Sequence, residues 1–146
     1  MTVLLSSADL LTEAGRLLEG TVALRRRLHA RPEVGLQLPG TQAAVLEALD
    51  GLNLDVTTGK TASSVVAVLE GPRPGPTTLL RGDMDALPMP EETGLPYAST
   101  VVGAMHACGH DAHTAMLAGA AKLLGAHREH LAGRVVFMFQ PGEEGA

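Results

Sequence analysis

Between Asp9 and Ala30, apolar residues recur at three- and four-residue steps. Leu10, Leu11, Ala14, Leu17, Leu18, Leu24 and Leu28 fall on one stripe, which predicts a long first helix. Ser6 or Ser7 is placed to cap its start, and Pro32 disfavours helical backbone just after Ala30. Gly15 and Gly20 weaken this helix by about 1 kcal/mol each relative to alanine. A shorter helix is predicted from about Thr41 to Leu49, with Ala44, Val45, Ala48 and Leu49 together and Gly51 as its stop.

The pattern then changes period. Leu54 to Thr58 is a short strand candidate, and Ser64 to Leu69 a stronger one because Val65, Val66 and Val68 favour extended backbone. Gly71-Pro72-Arg73-Pro74-Gly75-Pro76 reads as a turn, and Thr77 to Arg81 resumes as a strand. The strands on either side of that turn are expected to pair as a hairpin. Pro88, Pro90, Gly94 and Pro96 make Asp83 to Gly103 an irregular loop, and a loop that long inside a compact domain is often functional. Asp111 or Thr114 opens a third helix carrying Met116, Leu117, Ala120, Leu123 and Leu124 on one face. Gly133 precedes Val135-Val136-Phe137-Met138-Phe139, a continuous apolar run expected of a strand buried on both faces. The order predicts an α/β fold, a mixed β-sheet flanked by helices, in one domain over residues 1–146 and without internal repeats.

Composition narrows the classes. With 146 residues, 45% hydrophobic and 18% charged, the chain is globular rather than disordered. A formal charge of -5 argues against a nucleic-acid partner, and the one basic run, Arg25-Arg26-Arg27, reads as a solvated helix face. Tyr97, Phe137 and Phe139 are too few to stack bases. Cys108 has no second cysteine to pair with, so it is a free thiol or a metal ligand. Met1 to Gly20 lacks a basic leader followed by a long apolar stretch, and no segment approaches the roughly 18 apolar residues that cross a bilayer. The expectation is a cytoplasmic protein with no membrane partner.

Candidate chemistry gathers in three places. Met105 to His113 holds His106, Cys108, His110, Asp111 and His113 just before the third helix. The strand over Thr77 to Arg81 runs into Asp83 and Asp85, and the strand over Val135 to Phe139 runs into Glu143 and Glu144. The crevice beyond the carboxyl ends of strands is the usual ligand site of an open α/β sheet, so one edge could collect all three. Thiolate, imidazole and carboxylate together suit zinc and other first-row divalent ions. Gly109 lets Cys108 and His110 turn toward one ion, whose charge would lower the thiol pKa. The plainer alternative makes Cys108 a small buried hydrophobe and the histidines helix caps; it suits a lone Cys or His better than this cluster. Adjacent side chains in extended backbone diverge, so one of Glu143 and Glu144 is expected to ligate and the other to face water as general base. Alone, the pair would read as a solvated acidic turn. Asp85 could orient a metal-binding histidine.

Arg81-Gly82-Asp83-Met84-Asp85-Ala86-Leu87-Pro88, His106-Ala107-Cys108-Gly109-His110-Asp111 and Phe139-Gln140-Pro141-Gly142-Glu143-Glu144-Gly145 resemble the aminoacylase and carboxypeptidase family of metallopeptidases. The subgroup they resemble includes hippurate hydrolase, N-acyl-amino-acid amidohydrolases and indoleacetyl-amino-acid hydrolases, and His29-Ala30-Arg31-Pro32-Glu33 is similar to it as well. The resemblance covers nearly the whole chain. It implies the N-terminal part of a zinc-peptidase-like catalytic domain, with two divalent ions (Zn, Mn, Co or Ni) serving hydrolysis of the amide of an N-acyl amino acid. It implies Cys108, His110 and Glu144 as metal ligands, Glu143 as general base and Asp85 as the catalytic aspartate that stands behind the metal-binding residues; His106 and His113 match recurrent positions without an assigned role. Here the motif has Pro141-Gly142 where many relatives have Pro-Ala, which leaves both acids in place. Relatives carry further histidine ligands and an inserted dimerisation and lid domain beyond the glutamate pair. Residues 1–146 alone are therefore expected to be inactive, with an uncovered sheet edge through which copies could pair as a homo-oligomer. Two other readings compete. One is a non-catalytic metal-binding or subunit-pairing module on the same fold. The other is a helical phosphohydrolase using His110-Asp111, against which the strand-forming runs Val65 to Leu69 and Val135 to Phe139 count.

Overall fold

A computed structural model describes residues 6–145. In chain order the elements are α1 (Ser7–His29), α2 (Pro39–Leu49), β1 (Asp55–Thr58), β2 (Val65–Glu70), β3 (Arg73–Asp83), α3 (His110–Ala126), a short 3-10 turn (Arg128–His130) and β4 (Ala132–Gln140). The strands form one mixed sheet in the order β1-β2-β4-β3. β1 and β4 lie antiparallel to β2, whereas β3 and β4 are parallel.

The expected hairpin between β2 and β3 does not form, because β4 lies between them. Leu69 of β2 faces Val135, and Leu80 of β3 faces Phe137. Pro72, Pro74 and Pro76 lack the N–H groups that a close hairpin ladder would use. The proposed turn instead belongs largely to β3, which begins at Arg73. At Gly75 and Gly133 the two backbones cross so closely that an added Cβ at Gly75 would come within 2.5 Å of the Ala132 carbonyl carbon.

α3 packs on β3 and β4, α2 on β2, and α1 lies over α3. The core joins Val65, Ala67 and Leu69 of β2 to Val135, Phe137 and Phe139 of β4, under Val45 and Leu49 of α2 and Leu117, Ala118 and Ala121 of α3. β4 is buried on one face only: Val136 and Met138 on the other face are half-buried, which corrects the two-sided expectation. The stripe on α1 is likewise buried only toward its end. Leu28 is 4% exposed, whereas Leu11 and Leu18 are 75% and 59% exposed.

Ser6 caps α1 in a reciprocal box with Asp9, whose carboxyl is held below its ordinary value by hydrogen bonds from the Ser6 side chain and backbone. The start of α2 has no local side-chain cap. Glu33 supplies one from a distance, accepting the N–H groups of Gly40 and Thr41 at 3.0 and 2.7 Å. Among the described residues, no helix is long and apolar enough to cross a membrane.

Candidate metal centre

Parallel pairing carries the ends of β3 and β4 to the same edge, with Asp83 opposite Gln140 and the Met84 N–H bonded to the Gln140 carbonyl at 2.8 Å. α3 begins at that edge. Gly109 stands just before it in the left-handed region, at φ 79°, and the helix starts at His110, ahead of the expected Asp111 or Thr114. Gly82 makes the close docking possible, since a Cβ there would sit 3.0 Å from the His113 carbonyl oxygen. Thr114 completes the seam by donating its hydroxyl to the Asp83 carbonyl at 2.9 Å.

Asp85 is 2% exposed and joins the two strand ends. Its two carboxylate oxygens accept the N–H groups of Glu143 and Glu144 at 3.0 and 2.9 Å. The sequence suggested that this carboxylate orients a histidine; instead, His110 Nδ1 donates to the Asp85 backbone carbonyl at 2.9 Å, with the carboxylate at 3.5 Å. In the neutral ring, this donation makes Nε2 the nitrogen able to bind a cation. Around Nε2 lie Glu144 Oε1 at 3.6 Å, Asp83 Oδ2 at 3.6 Å and Glu143 Oε2 at 3.8 Å. Glu143 and Glu144 therefore converge rather than diverge. They lie in a turn after β4, where Gly142 has φ 72°, so the alternation of extended backbone does not apply.

Cys108, His110 and Glu144 offer one donor atom each, all within 4.8 Å of one another. Two ligands flanking one tetrahedral zinc ion lie about 3.3–3.7 Å apart, given bonds near 2.0–2.3 Å. The 3.6 Å between His110 Nε2 and Glu144 is too long for a hydrogen bond and suits that spacing. The donor chemistry fits as well. A hydrogen bond to Glu144 raises the Cys108 thiol above its ordinary value, with desolvation and the charges of Glu144, Glu143 and Asp83 adding to the rise. A cation among these anions would reverse that effect.

Asp83, His110 and His113 form a second donor group sharing His110. His113 Nδ1 donates to Asp83 at 2.6 Å and its ring stacks on His110 at 5.6 Å. Burial raises the Asp83 carboxyl, but the His113 hydrogen bond and the charges of His110, Arg81 and His113 outweigh it, leaving a net lowering. His106 is buried with no partner at either ring nitrogen, and desolvation lowers its pKa to about 4.

Behind the site lies a ring of charge that no sequence motif marks. Arg25 is not a solvated helix residue: its Nε meets buried Asp111 at 2.7 Å, and its guanidinium lies 5.2 Å from the Tyr97 ring centre. Arg26 also stacks on Tyr97, and Arg27 pairs with Glu47 at 2.9 Å. His29 bonds both Asp111 and Glu91. The signal for His29 was the His29-Ala30-Arg31-Pro32-Glu33 segment, but nothing in the order of residues links it to position 111. A separate cluster, His127, Glu129 and His130, lies at the far end of α3, where His127 is tied to Glu13 at 2.7 Å.

Parallel strand ends carrying carboxylates, faced by a thiol and an imidazole at a helix start, place this chain among α/β proteins that gather metal-type donors at a sheet edge. Residues 79–146 match peptidase family M20/M25/M40, to which the chain is similar. It is 45% identical over 123 residues to the N-acyl-L-amino acid amidohydrolase of Geobacillus stearothermophilus, covering 84% of this chain and 33% of that protein. It is 43% identical over 123 residues to the N-acetyl-L-cysteine deacetylase of Bacillus subtilis, covering 84% and 30%. The crystal structure of Bacillus subtilis YXEP, described as a dinuclear metal binding peptidase from the M20 family, superposes with a TM-score of 0.84 at 40% identity, over 89% of this chain and 36% of that one. The chain spans 28–36% of the length of the first curated relatives it matches.

Proposed function

We propose that residues 1–146 are the metal-holding, N-terminal part of an amidohydrolase catalytic domain that cleaves the amide bond of N-acyl amino acids. The observation that carries this reading is the convergence of Cys108, His110 and Glu144 within 4.8 Å, with Glu143 Oε2 3.8 Å from His110 Nε2. In this reading Cys108, His110 and Glu144 hold a zinc, manganese or similar ion in a cytoplasmic enzyme. Two divalent ions bound at such a site would polarise the amide carbonyl and bring the pKa of water toward about 7. Glu143, 42% exposed at its side chain, is the general base. It takes a proton from the attacking water and returns it to the amide nitrogen, so the carbonyl carbon gains a hydroxyl as the C–N bond breaks. Asp85 holds the turn on which both glutamates stand.

In the natural polypeptide carrying these residues, the metal-loaded protein should release free amino acid from an N-acyl substrate. Glu143→Gln should lower kcat by roughly 10²–10⁴-fold with metal content unchanged. Full activity in that variant removes Glu143 from the role, whereas stoichiometric metal with no turnover in the unaltered protein favours a binding module. Residues 1–146 by themselves supply Cys108, His110 and Glu144 as the proposed ligands, so little turnover is expected from this stretch alone.

A further inference from the structure

We infer that His29 is a positioning residue for the metal centre: by holding Asp111, it fixes the start of α3 and the direction in which His110 presents Nε2. This rests on the metal-centre reading above. His29 is the last residue of α1 and 3% exposed. Its Nδ1 meets Asp111 Oδ2 at 2.7 Å and its Nε2 meets Glu91 Oε1 at 3.1 Å. The contact to Asp111 is the shorter of the two, and an ionised carboxylate accepts, so Nδ1 donates there. Asp111 is 0% exposed, its Oδ2 also meets Arg25 Nε at 2.7 Å, and its Oδ1 has no partner. Both contacts thus meet one oxygen, from the side of α1.

The start of α3 depends on such ties. Gly109 provides no side-chain cap, and the first turn carries Asp111 as its one acid. Thr114 ties this end to β3, and Asp111 ties it to α1. Consecutive helical residues are about 100° apart around the axis, so a shift of Asp111 turns His110 with it. Of the two donors on Asp111, Arg25 has a long stem and a side chain 30% exposed, whereas His29 is a short planar ring packed edge-on against Tyr97 at 5.5 Å. His29 is therefore the stiffer tie.

The two bonds of His29 can be separated. The amide nitrogen of asparagine falls near the position of Nδ1, and that of glutamine near Nε2. His29→Asn keeps a donor for Asp111 and gives up Glu91; His29→Gln keeps a donor for Glu91 and gives up Asp111. Cobalt(II) alone is the probe, because binding through Cys108 produces a thiolate-to-cobalt charge-transfer band. His29→Gln should weaken cobalt binding by roughly 10–100-fold and shift the band, while His29→Asn stays within about threefold of the unaltered protein. Thermal unfolding of both variants separates affinity from general loosening, since each loses one buried hydrogen bond. Equal cobalt affinities in the two variants, or weaker binding by His29→Asn, would overturn the inference while leaving the metal centre intact. Absence of the thiolate band in the unaltered protein would overturn the metal-centre reading itself, and this inference with it.

Discussion

Cys108 shows how strongly one residue's chemistry depends on its neighbours. In sequence it is a lone thiol two positions from His110; in the structure it sits among Glu144, Glu143 and Asp83. Without metal, its thiolate is disfavoured, first by the hydrogen bond to Glu144. Alkylation of the metal-free protein should therefore titrate with a midpoint above the ordinary thiol value, and Glu144→Gln should move that midpoint down. Asp85 carries a different burden, since both of its oxygens accept backbone N–H groups of the glutamate turn. Asp85→Asn would set an amide NH₂ against one of those N–H groups. The expected result is roughly 10–100-fold weaker metal binding, measured by competition with a chromophoric chelator. The identities of Cys108, His110, Glu143 and Glu144 were legible from their motifs. The convergence of the two glutamates was not, because it depends on a turn at Gly142 rather than on residue order.

At the scale of elements, the informative departure is the insertion of β4 between β2 and β3. A breaker-rich connection between two strands suggests a hairpin, yet Gly75 and Gly133 allow a third strand to enter where side chains would collide. Gly133 has φ 79°, and a Cβ there would run into the Pro76 carbonyl oxygen. Gly133→Ala should cost more than about 3 kcal/mol in urea unfolding, because strain and collision act together. This register also brings Asp83 level with Gln140 and so sets Asp85 beside the Glu143-Glu144 turn. Most helix and strand positions were legible from periodicity. The partners of the strands were not, because local pattern specifies a strand's faces but not its neighbours.

At the scale of the whole molecule, a carboxylate on the long loop contributes to stability in acid. Glu91 has a side chain 1% exposed and bonds His29 across the long loop. Burial pushes its carboxyl up, but hydrogen bonds from Thr93, the Ser99 backbone and His29 prevail and bring it down from 4.5 to about 2. A depressed carboxylate stabilises the fold above its unfolded pKa and loses that contribution as pH falls through the folded value. The urea midpoint should therefore fall between pH 4.5 and about 2, and Glu91→Gln should flatten that part of the profile. Because Glu91 and Asp111 meet on one imidazole, the loop and the helix bearing His110 share this support.

The sequence alone determined the α/β class, the approximate span of each helix and strand, and the set of groups suited to metal chemistry. Those features follow from local periodicity and from which side chains can donate, ionise or pack. Tertiary structure decided the rest. Parallel docking of β3 on β4 brought Asp85 to the glutamate turn, and the approach of α1 to α3 made the apparent surface residue Arg25, together with buried His29, a partner of Asp111. The reason is physical: the interactions between positions 29 and 111, or 85 and 143, arise only when the chain is packed, and no local pattern encodes that distance.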